Sequence, residues 1–134
     1  MAQAAFATPS GSTFVTNNAA SKPKRGNRTA NVRPVDLVHL AKQSLGDRAL
    51  EIEILSLFRS QSKLYLDRLT CAKTSDERKM AAHTILGSAR GIGAWAVAEE
   101  AEKIELSSDK PGDMRDLTLA IGEAQNFIGT ILDA

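Results

Sequence analysis

Aromatic residues make up 4% of this 134-residue chain, and it has one cysteine and two histidines. The apolar residues it does have are mostly Ala, Leu and Ile, which favour helices over strands, so the expectation is an all-α chain. Cys71 has no second cysteine to pair with. No C-x-x-C or H-x-x-x-H spacing surrounds it, so no metal and no cofactor are expected. A reducing cytoplasm is compatible with that thiol usage. Long apolar runs are missing as well: none approaches the roughly 18 residues that span a bilayer. The start of the chain lacks the apolar segment of a secretion signal. A soluble, cytoplasmic protein without membrane contact is therefore expected.

Acids are absent from residues 1–35, which carry Lys22, Lys24, Arg25, Arg28 and Arg33, while the remaining 12 bases and all 16 acids follow. The net charge of +1 thus hides a basic start and a mildly acidic body. Residues 1–33 are rich in Ala, Ser, Thr, Asn, Gly and Pro with no sustained periodicity, and read as a disordered basic tail. An acid-poor, Ser/Thr-rich start also fits an organellar transit peptide, although its first base comes only at Lys22. The basic cluster at 22–28 is short and has no aromatic residues interleaved for base stacking, so it reads as a solvated linker and no nucleic acid is expected as a partner.

Helical signals begin at Pro34 and mark 34–134 as one domain, of which 43% apolar content in the whole chain can supply the core. Asp36 can cap a short helix through Leu37, Val38, Leu40 and Ala41 that stops near Gly46, a residue suited to a left-handed end. Asp47 can cap a long second helix reaching about Ala72, with a stripe through Leu50, Ile54, Leu55, Phe58, Tyr65 and Leu69 and Ser62 as its small member. Ser75, followed by Asp76 and Glu77, begins a third, whose apolar side is Ala82, Ile85, Ala89 and Ile92. A fourth uses Ala94, Val97, Ala98, Ala101 and Ile104; a fifth uses Met114, Leu117, Ile121, Ala124, Phe127, Ile128 and Ile131. Four long amphipathic helices with short connections pack most simply as an antiparallel up-down-up-down four-helix bundle, with the short N-terminal helix closing one end.

Nucleotide loops, H-E-x-x-H and nucleophile-elbow contexts are all missing. Cys71, near the end of the second helix, reads as a half-buried small hydrophobe, and His39 as a partly exposed or capping histidine. His83 differs because of its neighbours. The run Ala82-His83-Thr84-Ile85-Leu86-Gly87-Ser88-Ala89-Arg90-Gly91-Ile92-Gly93-Ala94 resembles the signature of histidine-phosphotransfer (HPt) domains, A-H-x-L-K-G-[SA]-[SA] followed by an apolar residue, Gly and Ala. Val97, Ala98, Ala101, Ile104 and Glu105 resemble that family's next helix, and Asp47, Leu55 and Phe58 its preceding one. The resemblance covers about residues 34–134. It implies a phosphorelay intermediate in two-component signal transduction: His83 accepts a phosphoryl group from a receiver-domain aspartate and passes it to another receiver. It also implies no nucleotide site and so no kinase activity of its own. The implied partners are response-regulator receivers or a hybrid histidine kinase, the receiver bringing the metal ion and a lysine; a monomer is expected.

On a helical wheel Ala82, Ile85, Ala89 and Ile92 point inward, which turns His83 outward together with Lys79, Met80, Leu86, Gly87 and Arg90. Gly87, one turn beyond His83, costs the helix about 1 kcal/mol against Ala. Its bareness lets a partner's active site close over the ring; a helix-packing glycine or an early C-cap is the other reading. Phosphoryl transfer needs an aligned nucleophile and stabilised charge more than covalent machinery, and a neutral imidazole can attack without a base. The HPt pattern's lysine three residues after the histidine is Leu86 here. An exposed apolar Leu86, with Met80, is then expected as a docking contact, and Lys79 and Arg90 as the substitute charges. The alternative is an HPt-like binding module that docks on a receiver or kinase and regulates it without transfer.

Overall fold

The computed structural model of the chain describes residues 33–109 and 113–133. The tail expected over 1–33 lies, Arg33 apart, outside the described residues. Those residues form five helices and no strand: α1 (Leu37–Gln43), α2 (Arg48–Cys71), α3 (Ser75–Ile92), α4 (Trp95–Leu106) and α5 (Arg115–Leu132). The all-α expectation holds for them.

Each of the first three helices starts where a short polar side chain takes up a backbone N–H that has no partner inside the helix. Asp36 Oδ1 accepts from His39 N at 3.1 Å, and Asp47 Oδ1 from Leu50 N at 3.1 Å. α3 opens with Ser75, but the cap is one residue earlier. Thr74 Oγ1 accepts from Glu77 N at 3.1 Å while Glu77 Oε1 accepts from Thr74 N at 3.3 Å, the reciprocal arrangement of a capping box. α1 gives way to a turn in which Gly46 is left-handed (φ 77°), with Leu45 also left-handed before it (φ 56°).

The core face of α3 is the expected one, Ala82, Ile85, Ala89 and Ile92, joined by Ala81, Leu86 and Ser88. From α2 come Leu55, Phe58, Ser62 and Leu69; Leu50 is instead exposed along with all of residues 45–50, so the packed face of α2 begins a turn later than its stripe suggests. Each large apolar side chain buried in this way contributes about 1.5–3 kcal/mol. Cys71 is exposed rather than half-buried, because it lies at the last turn of α2, two residues past the buried Leu69 and off its stripe.

α3 packs against α1, α2 and α4, and α5 packs against α2 and α4. Ala82, Ala89, Ala98 and Ala101 are fully buried, and side chains this small let α3 and α4 lie close together. Ser62 has a similar purpose on α2: Gln125 of α5 donates from Nε2 to Ser62 Oγ and to Arg59 O, both at 3.1 Å. No described helix is long and apolar enough to cross a membrane.

Candidate functional site

The apolar side of α3 is consumed by its neighbours, which leaves the side chain of His83 standing out from the middle of the helix at 68% exposure. One ring nitrogen is engaged. His83 Nδ1 lies 2.9 Å from Glu105 Oε2, a carboxylate carried by α4 and mostly covered. An ionised carboxylate can only accept, so Nδ1 carries the proton and donates it. In the neutral ring the lone pair then falls on Nε2, which has no partner among the described residues and belongs to a ring that is mostly exposed. The group available for chemistry is therefore a nucleophilic nitrogen with its tautomer held from behind.

His83 shares an open depression with Lys79, Leu86, Arg90, Glu102 and Glu105. Lys79 is exposed and forms no ion pair among the described residues. Arg90 is partly covered and its Nη2 lies 3.6 Å from Glu102 Oε2, so its charge is already shared with α4. Gly87 is exposed, and a Cβ added there would meet nothing within 4 Å. A helix-packing role for this glycine is thereby excluded, and since α3 runs on to Ile92 so is an early C-cap; its surface is open.

Leu86 does not stand out as expected. It is 5% exposed and belongs to the core. On the wheel it lies between Ala82 and His83, on the flank that α4 covers, and burial there recovers apolar surface that a lysine would have to keep in water. A side chain so covered offers a partner little surface. Met80 is 67% exposed, as a docking contact requires, and the rim of the depression has a second apolar side chain, Leu106, at 81% exposure.

His39 is 7% exposed rather than partly exposed, and of its two expected readings the capping one describes it, because the ring serves the end of α3. Its Nε2 lies 2.9 Å from Arg90 O, a carbonyl in the last turn of α3 that otherwise accepts a long bond from Gly93 N at 3.4 Å. Its ring meets Trp95 edge-on at 4.9 Å between centroids, and Trp95 Nε1 donates to Asp36 Oδ2 at 3.2 Å. This joint attaches α1 to the turn between α3 and α4, and the ring's Nε2 and its contact with Trp95 both serve it.

Glu105, Glu102 and Leu106 were not legible as site residues in the sequence. The available signal was modest: Glu102 and Glu105 flank the buried Ala101 and Ile104 by one position, which puts them on the edge of α4 nearest α3. No group of three or more His, Cys, Asp or Glu among the described residues is arranged to hold a metal ion. No family model, curated protein or solved structure matches the chain.

Proposed function

We propose that this chain is a phosphorelay intermediate of the HPt type, an antiparallel four-helix bundle that carries a phosphoryl group on His83 between receiver domains. The observation that carries this reading is the ring itself: exposed at mid-helix, proton held on Nδ1 by Glu105 at 2.9 Å, Nε2 free, and a bare Gly87 one turn on. The Nε2 lone pair attacks the phosphorus of a receiver's aspartyl phosphate, the N–P bond forms, and the P–O bond breaks with its electron pair returning to the aspartate. No base is needed. In this reading the chain is a relay and not a kinase, in keeping with a sequence that carries no nucleotide-loop motif. Short connections at 72–74 and 93–94 and the ring of packing partners, α2 and α4 each against both α3 and α5, support the bundle arrangement.

The charge that Leu86 does not supply comes from Lys79 first and Arg90 second, because Arg90 must loosen its contact with Glu102 before it can serve a phosphate. Met80, exposed on α3, and Leu106, at the depression, are the apolar side chains that a receiver covers. The domain acts as a monomer in the cytoplasm, where the exposed thiol of Cys71 stays reduced. Incubation with a panel of phosphorylated receivers, with His83→Gln as control, tests the reading. Label moving to the parent and not to the variant is expected; a parent that takes no label from any receiver or hybrid kinase, while binding one of them, would make it a docking module without transfer. That second reading draws on the missing lysine at position 86.

A further inference from the structure

The contact between His83 and Glu105 has a consequence for the charged protein as well as for the attack. Glu105 is held on α4, with its side chain 19% exposed, and it meets the ring on the Nδ1 side. A phosphoryl group on Nε2 occupies the opposite, outward side and leaves that contact in place. A phosphorylated imidazole can ordinarily shed its remaining ring proton and become neutral, with a lone pair on Nδ1. In this chain that lone pair would face a carboxylate oxygen at 2.9 Å, two acceptors with no hydrogen between them. Keeping the proton avoids that clash.

We infer that Glu105 is a positioning residue that holds phospho-His83 in its reactive, Nδ1-protonated form, so that the phosphoryl group rests only briefly on this chain. The inference rests on the reading that His83 carries a phosphoryl group at all. With the proton in place, an incoming oxygen forms the new O–P bond while the P–Nε2 bond breaks, and the electron pair returns to Nε2. The ring leaves as a neutral imidazole that already has its Nδ1 hydrogen. Without that proton it would have to leave as an anion. When the incoming oxygen is that of water, both water protons remain with the released phosphate, so the step balances without any further group.

Other charges face the ring but do not take over this role. Arg90 and Glu102 lie 3.6 Å apart and largely offset each other. Lys79 on α3 and Asp109 beyond α4 are exposed on the same depression and act through water. Glu105 alone is in hydrogen-bond contact with the ring among the described residues.

The test uses the full chain with nitrogen-15 in its histidine rings, charged with phosphoramidate, a small phosphoryl donor that needs no receiver. His83→Gln assigns the signals. In the uncharged chain the ring spectrum should report the proton on Nδ1. In the charged chain, decay followed by phosphorus NMR should be rapid and nearly flat across neutral and mildly alkaline pH. Glu105→Gln offers an N–H to the Nδ1 lone pair and should slow decay by about tenfold at mildly alkaline pH, the order expected of one adjacent charge. Its rate should also fall as pH rises, and Glu105→Ala should lie between the two. A parent ring protonated on Nε2 overturns the inference, as do both variants decaying with the parental rate and pH profile. If no receiver labels His83 but the phosphoramidate-charged chain behaves as described, the relay reading fails and the role of Glu105 stands. A His83 that takes no phosphoryl group even from phosphoramidate overturns both.

Discussion

His39 and His83 both meet α3, one at its C-terminal end and one at its middle, and the fold uses them in opposite ways. At the end of the helix, the ring of His39 is enclosed: Nε2 serves Arg90 O, the face meets Trp95, and Gly93 (φ 78°) brings the chain so close that an added Cβ would lie 2.7 Å from Asp36 Cβ. At the middle, the ring of His83 is open, one nitrogen is tied and one is free, and the nearby Gly87 has nothing around it. Two histidines and two glycines of one helix region thus separate into a joint and a site. The glycine at the joint makes room for the protein's own chain, whereas the one beside His83 has open space around it.

The contrast breaks first at Gly93. Gly93→Ala combines left-handed backbone with steric overlap and should lower stability by about 3 kcal/mol; urea unfolding within error of the parent would mean that the joint is not as tight as its distances imply. His39→Ala should cost about 2 kcal/mol by removing a buried ring and the closer of the two donors to Arg90 O, while His83→Gln should change stability by under about 0.5 kcal/mol, as surface replacements do. Thermal melts of the two variants side by side check this, and equal losses would erase the distinction. Lys79→Ala should slow receiver-dependent transfer about tenfold, or roughly 1.4 kcal/mol at the transition state, with Arg90→Ala slowing it less. Parental rates for both would leave Leu86 without compensation.

Gly87→Ala should raise stability by about 1 kcal/mol, the helix propensity recovered, and slow transfer at the same time. A stabilised variant that transfers as fast as the parent would show that no partner closes over this position. The smallest effect lies away from both regions, where α5 begins. Hydrogen bonds from Arg115 hold the Asp113 carboxyl below the usual carboxylate range, so the pair favours the folded, ionised state at neutral pH, and its contribution is lost as pH falls through that lowered value. Both groups are exposed and the contribution to stability is slight; the readout is the carboxyl titration by NMR, which Arg115→Ala should return to the ordinary range.

Elements set by short-range rules were legible beforehand. Asp36 and Asp47 cap as their positions suggested, and the inward face of α3 follows from spacing alone, because a helix repeats every 3.6 residues whatever surrounds it. That periodicity also turned His83 outward. It failed for Leu86, Leu50 and His39. For residues on the boundary of a stripe, or on a short helix, the wheel gives a direction without saying whether a neighbour occupies it.

The amino-acid sequence by itself determined five helices, the starts of the first three, and a histidine that cannot point inward, since capping and periodicity act within a few residues along the chain. Only the tertiary structure decided that Leu86 belongs to the core and that His39 locks α1 to the end of α3. It also decided that Glu105, 22 residues away in the chain, is the group behind His83. Those outcomes depend on which flank of α3 is covered by α4 and α1, and two side chains on different helices acquire a distance only when the helices pack.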